Sequence, residues 1–432
     1  MIQSYLGRRE PPAAPLGLAI LASHIRDHQV KIHDPNISEF PIKSTLEEIE
    51  EFKPEIIGIS LRNIDTTKYS DQFNYFHHFK NILKSIKSVS DKIEIIAGGG
   101  GFSLFPSEIM NLCPEIDVGF FLEADLSFPA YLRKGGISDV KGIYYRNKDG
   151  IFCTGEPERI EAEDMLFPRW DLVNLEKYIP FTGKASIGYE SKRGCQMRCA
   201  YCTYPQLTGN KLRMKSPVKV VSEIKLLKER YGVNKVFFCD PVFNYPLEHA
   251  ETICREITAA GLKIKWSAYH QDYFITEDYI KLAMEAGCDD FYFSPDSACD
   301  EGLRILGKTS TRKSLNRTLQ IIKYNEKAKA SFNFFAAVPG TGWKNLLSAI
   351  SFLLKAKIKL GKRLTRYKLS YIRLEPNTKL LKEIEEYIDL LPDENRGLSR
   401  LFYHKSTSNI LNTLLLIHFH LGKWFGRRNI IK

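Results

Sequence analysis

Three cysteines stand close together in Ser191–Pro205 (SKRGCQMRCAYCTYP). Cys195, Cys199 and Cys202 are spaced C-x-x-x-C-x-x-C. Three thiolates can hold three irons of a [4Fe–4S] cluster and leave the fourth iron without a protein ligand. Such an open position can chelate a substrate or cofactor. A structural zinc site is the competing reading. It usually wants four ligands, commonly as two C-x-x-C-type pairs. No second pair exists, because Cys113, Cys153, Cys239, Cys254, Cys288 and Cys299 are scattered singly. A chance grouping of buried thiols is the third reading. A second stretch, Ala97–Phe102 (AGGGGF), would let backbone amides approach a bulky or anionic ligand. It is not G-x-G-x-x-G, since Ser103, Leu104 and Phe105 follow, so a dinucleotide site is disfavoured.

Both stretches need strands to carry them. In the first 150 residues, short Ile- and Val-rich runs (Val30–Asp34, Ile56–Leu61, Ile93–Ala97, Val118–Leu122) alternate with amphipathic segments (Leu16–Arg26, Thr45–Phe52, Phe73–Val89, Pro106–Leu112, Leu126–Arg133). That alternation predicts βαβ units and a parallel sheet, which binds ligands at the carboxyl ends of its strands. Only Met1–Tyr5 precedes the first helix, so a clipped first strand is expected. Asp149-Gly150 between Lys141–Arg146 and Ile151–Thr154 predicts a hairpin. Glu156–Pro180 is acidic, Pro-punctuated and aperiodic, and reads as a linker. A second series then begins. Its strands are expected at Ser186–Glu190, Lys235–Asp240, Lys263–Tyr269, Asp290–Ser294, Ala330–Val338 and Tyr367–Leu374. Its helices are expected at Val218–Tyr231, Pro246–Ala260, Glu277–Ala286, Ser314–Lys327 and Leu346–Lys355. Six βα steps suggest a partial barrel with its chemistry at the strands' carboxyl ends.

Composition narrows the class. The 432 residues suggest two or three domains at roughly 150 residues each. With 44% hydrophobic and 26% charged residues, wholesale disorder and collagen-like repeats are excluded. The net charge is +11. From Asn395 onward there is no acid and seven basic residues, which reads the basic balance as largely a tail property and weak support for nucleic acid. Met1–Glu10 lacks the apolar core of a signal peptide. The longest apolar candidate, Ile410–Leu421, is interrupted by Asn412, His418 and His420, short of the roughly 18–20 residues of a span. A soluble, cytoplasmic protein is expected. In a reducing compartment its clustered thiols favour metal or redox work over disulfides.

The cysteine motif resembles that of the radical S-adenosylmethionine (SAM) superfamily. Tyr201 holds the aromatic position before the last cysteine, which the resemblance places near the adenine of SAM. Alone, it could be a core aromatic. Asp240-Pro241 closes the next strand, where the family contacts the methionine ammonium, a group that wants an acceptor. Alone, Asp240 could cap a helix or turn. Phe291–Lys308 resembles the segment G-x-E-S…L-K-x-x-x-K, so Asp296 and Ser297 would face the SAM ribose. Val338–Thr341 resembles the Pro-Gly-Glu-Thr turn without its acid, and Arg373–Thr378 (RLEPNT) resembles the closing R-x-x-P-x-T.

The N-terminal segment resembles the cobalamin-binding domain fused ahead of many radical SAM domains. The similarity rests on Pro15–Leu18, Gly58–Asp65 (GISLRNID), Gly98–Phe102 with Pro106, and Glu123 in the place of a Gly-Glu-Gly-Glu. It implies a corrin on the strand ends and a nucleotide tail in the glycine-rich region. The implied contacts are Ser60, Arg62, Asn63, Asp65, Gly98, Gly99, Gly100, Gly101, Phe102 and Glu123. A D-x-H-x-x-G histidine is missing, so cobalamin is expected without a histidine ligand. Arg62–Asp65 would then face the lower side of cobalt, with Arg62 disfavouring a sixth ligand. An exposed ion pair is the plainer role for Arg62.

The resemblance to cobalamin-binding radical SAM proteins covers roughly Pro11 to Lys379. It is nearest the branch associated with lipid and natural-product biosynthesis. It implies an α/β chain with a Rossmann-like (flavodoxin-like) cobalamin-binding domain (1–150), a linker (151–180), a partial (β/α)6 TIM-barrel radical SAM domain (181–380) and a helical, basic C-terminal extension (381–432). The implied cofactors are a [4Fe–4S] cluster, SAM and cobalamin. The implied activity is C-methylation of an unactivated carbon in a lipid or natural-product intermediate, through a 5′-deoxyadenosyl radical and methylcobalamin. Rearrangement or cyclisation with the same cofactors, and RNA modification, are the alternatives. A small-molecule or lipid substrate and an external donor of flavodoxin or ferredoxin type are implied, and nucleic acid is not expected. The tail Ile410–Lys432 reads either as a terminal helix packed on the barrel or as a peripheral membrane contact.

Overall fold

The computed structural model describes residues 1–7, 11–66, 73–184, 187–384, 398 and 402–403. The N-terminal sheet runs in the order β1 (Ile2–Gln3), β2 (Ile56–Ser60), β3 (Glu94–Gly98), β4 (Val118–Phe120), β5 (Ile143–Asn147) and β6 (Gly150–Cys153). The first four strands are parallel, and the β5–β6 hairpin adds antiparallel at the edge. The first strand is only two residues long, pairing Ile2 with Ile59 and Gln3 with Ser60. The strand expected at Val30–Asp34 is not formed. It shrinks to one parallel bridge between His33 and Ile2. The Asp34 side chain accepts from the Asn36 amide and caps a short 3-10 turn that begins with Pro35, which has no amide proton to continue a ladder. With that bridge counted, the sheet follows the flavodoxin-like strand order.

Helices α1 (Leu16–Ser23), α2 (Pro41–Phe52), α3 (Tyr75–Val89), α4 (Gly100–Leu104), α5 (Pro106–Leu112) and α6 (Ser127–Lys134) cover this sheet. Their apolar spacing sets the buried faces. In α3, Phe76, Phe79, Ile82, Leu83 and Ile86 point inward with helical period. The segment 156–180 holds no α-helix or strand, yet it is not loose. Trp170 and Tyr178 are buried, the Tyr178 hydroxyl donates to Asp34 at 2.5 Å, and the Arg169 amide donates to the Ala19 carbonyl at 2.9 Å.

The second sheet contains β7 (Gly188–Tyr189), β10 (Lys235–Phe238), β11 (Lys265–His270), β12 (Cys288–Asp296), β13 (Ala330–Phe335) and β14 (Leu364–Ser370). All six are parallel, in the order β7-β10-β11-β12-β13-β14. Each successive strand pair is joined through α8 (Pro217–Tyr231), α9 (Leu247–Ala259), α10 (Glu277–Glu285), α12 (Arg312–Tyr324) or α13 (Gly342–Leu360), the partial-barrel arrangement expected. Two ribbons, β8 (Lys192–Arg193) with β9 (Arg213–Met214) and β15 (Ile372–Arg373) with β16 (Phe402–Tyr403), flank it. Three short helices escaped the sequence reading: α4, α7 (Tyr204–Thr208) and α11 (Asp300–Ile305), whereas α14 (Lys379–Glu383) falls where helix was expected. Each is too short to show a hydrophobic period.

One acid near the start of β12 makes stability depend on pH. Asp290 accepts from the Thr365 hydroxyl at 2.6 Å through Oδ2, and its buried Oδ1 has no hydrogen-bond partner. Burial pushes its carboxyl up to about 6, against that hydrogen bond. The unfolded chain releases this proton from about pH 4. The native state therefore holds more protons than the unfolded one between about pH 4 and 6, and stability falls as pH rises through that window. Asp290→Asn removes the effect. In urea denaturation the variant should gain about 2–3 kcal/mol on the wild type between those pH values. Parallel pH profiles for the two proteins would refute the assignment.

Candidate active site

The cysteine loop follows β8 and is pinned at both ends. Gly194 has φ 85°, and a Cβ there would meet the Lys211 carbonyl oxygen at 2.0 Å. The Cys195 amide donates to Gly209 at 3.0 Å and the Ala200 amide to Leu306 at 2.9 Å. The Tyr204 amide donates to the Cys202 sulfur at 3.4 Å. Cys195 is buried and Cys199 and Cys202 are half-buried. A cavity of about 670 Å³ opens beside the loop, lined by Cys195, Cys199, Arg198 and Lys211 among others. Burial raises all three thiols, Cys202 to about 12, so metal binding must displace protons. Among the described residues no three His, Cys, Asp or Glu converge on one ion.

Asp240 works beneath this loop. Its carboxylate accepts from the Ser191 amide (2.9 Å), the Ser191 hydroxyl (2.5 Å) and the Lys192 amide (3.2 Å). The fully buried Lys192 ammonium donates to the carbonyls of Phe243 (2.8 Å) and Tyr245 (3.0 Å). Burial lowers Lys192 to about 8, with Asp240 opposing. Both oxygens of Asp240 are therefore committed to orienting the chain just ahead of the cysteines. These hydrogen bonds give Asp240 a positioning role at the place where the resemblance expects the contact to SAM. Pro241 continues the chain from it at the strand's end.

Tyr201 and Asp296 do meet. The Tyr201 hydroxyl donates to Asp296, and Lys308 ion-pairs with the same carboxylate. Lys308 also donates to the Ser294 carbonyl at 3.1 Å and lies 5.4 Å from the Tyr201 ring centroid. Burial opposes its charge, but Asp296, Tyr201 and Cys199 outweigh it and hold the ammonium well above its ordinary pKa. Asp296 has φ 68°, a left-handed conformation that costs energy outside glycine. Ser297 turns away. Its hydroxyl donates to Asn345 at 2.7 Å in a fully buried site, so it supports the backbone behind Asp296.

On the N-terminal face, a cavity of about 260 Å³ lies at the strand ends. Ser60, Gly98, Gly99, Leu122 and Glu123 line it from the first domain, and Glu190, Arg193 and Thr208 from the second. Gly17 also lines it, with nothing within 4 Å of where a Cβ would sit. Two of the glycines also sit against backbone. A Cβ on Gly99 (φ 98°) would meet the Leu61 carbonyl at 2.8 Å, and one on Gly101 would meet it at 2.9 Å. Gly100 starts α4 instead of a ligand loop. Phe102 is fully buried beneath Gly119 and is a core residue. Asn63 backs onto Gly101.

Two acids named for cobalamin, Glu123 and Asp65, also form part of the seam between the domains. Glu123 is buried and takes both guanidinium nitrogens of Arg213, at 2.5 and 2.8 Å, together with Arg159 at 3.2 Å and Arg193 at 3.5 Å. Arg193 also pairs with Asp125 (2.9 Å) and Glu190 (2.8 Å). Asp65 pairs with Arg373 at 2.9 Å, and Arg373 reaches Glu375 at 2.6 Å. Among the described residues of its loop, Arg62 alone is exposed. It acts on Cys239 and Tyr269 of the second domain. Cys239 is exposed, and its sulfur lies 2.6 Å from where a Cβ on Gly188 would sit. Sequence reasoning passed over Cys239 and Tyr269. Both alternate along strands at their carboxyl ends, and that placement was the available signal.

These features define a two-domain protein whose flavodoxin-like sheet ends face a three-cysteine loop on a partial barrel. The sequence pattern of the radical SAM superfamily matches residues 189–353, and that of the B12-binding domain matches residues 3–132. The chain belongs to the radical SAM proteins that carry an N-terminal B12-binding domain, and its cofactors are a [4Fe–4S] cluster, SAM and cobalamin. An uncharacterized methyltransferase of Pyrococcus horikoshii is 28% identical over 331 residues, 74% of this chain and 68% of that one. The cytidylyl-2-hydroxyethylphosphonate methyltransferase of Streptomyces wedmorensis is 26% identical over 310 residues, 64% of this chain. The chain spans 56% of that relative. In fold, it resembles the radical SAM methyltransferase TsrM of Kitasatospora setae, solved with tryptophan and a SAM analogue (TM-score 0.77, 20% identity, 89% of this chain and 75% of that one).

Removing the hub of the seam separates a structural from a purely cofactor-binding Glu123. Glu123→Ala leaves buried arginines without their carboxylate, which costs about 3–5 kcal/mol. Denaturation of the cofactor-free chain should show that loss. An unchanged midpoint would mean that Glu123 acts only through a bound corrinoid.

Proposed function

We propose that the protein is a cobalamin-dependent radical SAM C-methyltransferase that methylates an unactivated carbon of a lipid or natural-product intermediate. The observation that carries this is the apposition of the two cofactor regions. Leu207, on the helix that follows the cysteines, lies 3.7 Å from the Cβ position of Gly100 in the glycine-rich stretch. Arg159 ties the two together by donating to the Leu207 carbonyl at 3.0 Å and to Glu123 at 3.2 Å.

When bound, the cluster and SAM supply hydrogen-abstracting radical chemistry, and cobalamin supplies the methyl group. The chain supplies placement and exclusion of water. Cys195, Cys199 and Cys202 would hold the cluster. Asp240, through Ser191 and Lys192, fixes the loop that presents them. Tyr201, Asp296 and Lys308 would line the SAM pocket, with Ser297 buttressing Asp296 from behind. Arg62 would face the lower side of cobalt, without ligating it, from a loop held by Asp65. Residues 1–150 would form the cobalamin domain, 151–180 the strap, 181–380 the radical SAM domain and 381–432 a C-terminal extension. The electron donor is of flavodoxin or ferredoxin type and the enzyme works in the cytoplasm. No helix of the described residues is long and apolar enough to cross a membrane. The tail expected at 410–432 lies outside the described residues.

The test begins with anaerobic reconstitution using iron, sulfide and hydroxocobalamin, followed by desalting. Iron–sulfur absorption with retained corrin bands is expected. Loss of the corrin bands would sink the methyltransferase reading. Cys199→Ala should abolish SAM cleavage, and candidate substrates should yield a product heavier by one methyl group. A product of unchanged composition would point to rearrangement, and one lighter by hydrogen to ring closure.

A further inference from the structure

The chain's positive charge is concentrated on the barrel's outer wall as well as in its tail. Residues 312–366 carry thirteen Lys and Arg against a single acid, Glu326. That excess alone exceeds the net +11 of the whole chain, so the reading of the basic balance as a tail property is corrected. The segment includes α12 and α13, which pack side by side, with Lys355 of α13 donating to Asn316 of α12 at 3.4 Å.

Helix α13 (GWKNLLSAISFLLKAKIKL) contains no Asp or Glu. One face is buried through Leu346, Ala349, Phe352, Leu353, Ala356 and Leu360. The opposite face is apolar too. Leu347, Ile350, Leu354 and Ile358 are 59%, 37%, 61% and 85% exposed. Their spacing of three, four and four residues puts them in one stripe along the helix. Exposed Lys355 and Lys357 fall on either side of that stripe. Tyr324, at the end of α12, is 72% exposed. A continuous apolar stripe on an exposed helix marks a surface that is covered in use.

We infer that the α13 stripe docks this protein on an anionic lipid surface. Charge decides among the occupants. A second copy would bring an equally basic face against this one. From Asn395 onward the chain has seven basic residues and no acid, so that stretch is repelled as well; the stretch 385–394 carries five acids and would suit the face by charge, and its cover of the stripe would leave the protein unable to float with vesicles. RNA would neutralise the lysines but has no use for four aliphatic side chains. Anionic headgroups take the lysines, and the acyl boundary takes the leucines and isoleucines. This inference is independent of the reaction proposed above.

The test is flotation of the full-length, cofactor-loaded protein with vesicles of phosphatidylcholine alone or mixed with phosphatidylglycerol, at low and high salt. Binding is expected only to the anionic vesicles and should weaken as salt screens the lysines. The double variant Leu354→Gln/Ile358→Gln should lose about 10- to 100-fold in partitioning. Lys355→Gln/Lys357→Gln should lose about 30-fold. Circular dichroism and cluster absorption check that the variants fold, and glutamine keeps helix propensity. Absence of flotation, or flotation indifferent to both variants, overturns the inference. So does a dimer in light scattering that falls apart in the Leu354→Gln/Ile358→Gln protein, which would assign the stripe to a second copy. RNA binding lost only with the lysines, without flotation, would overturn it too.

Discussion

A single buried carboxylate holds the two halves of this molecule in register. Glu123 leaves the C-terminal end of the first sheet's β4 and meets Arg213 and Arg193 beside the cysteine loop, and Arg159 from the strap. Burying ions is costly, and a well-packed apolar seam could hold two domains as firmly. What an ion cluster adds is direction. A guanidinium fork accepts a carboxylate in a narrow range of angles, so the domains meet in one orientation. That orientation turns both sets of strand ends toward a shared cleft.

The same economy recurs one layer inward. Asp240 and Lys192 are both fully buried and each is satisfied by backbone groups of the other's neighbourhood. They convert the end of β10 into a clamp on the chain leading to Cys195. Asp296 accepts a left-handed backbone to point its carboxylate at Tyr201 and Lys308. The strain is sustained because Ser297 and Asn345 lock the following residue. The cysteine loop and the Tyr201–Asp296–Lys308 group are thus fixed by the chain's own polar contacts.

Repeating features were legible in the sequence, and single long-range contacts were not. Helical and strand periods located nearly every long element, because burial of one face leaves its period in the sequence. Val30–Asp34 misled because its apolar residues are real but Pro35 and the Asp34 cap stop the ladder. The cysteine spacing was legible because its ligands are neighbours along the chain. Glu123 and Asp65 were not. Their partners lie 90 and 308 residues away, and an acid at a strand end looks the same whether it meets a ligand or an arginine. The glycines around Phe102 are ambiguous for a similar reason. Close approach to a cofactor and close approach to the Leu61 carbonyl both demand a missing Cβ.

Charge is sorted by role across the chain. Acids and arginines pair within the seam, where each is desolvated and its partner fixed. The basic excess is carried by the outer wall of the barrel and by the tail's sequence, which leaves the remainder of the chain net acidic. A randomly solvated surface mixes both signs, since isolated charges contribute little to stability. Excluding every acid from α13 while leaving four aliphatic side chains outward does nothing for the fold. It weakens solubility and invites self-association. A helix with that cost and no folding benefit is explained by what it touches outside the barrel, and the seam, by contrast, is explained by what it holds inside.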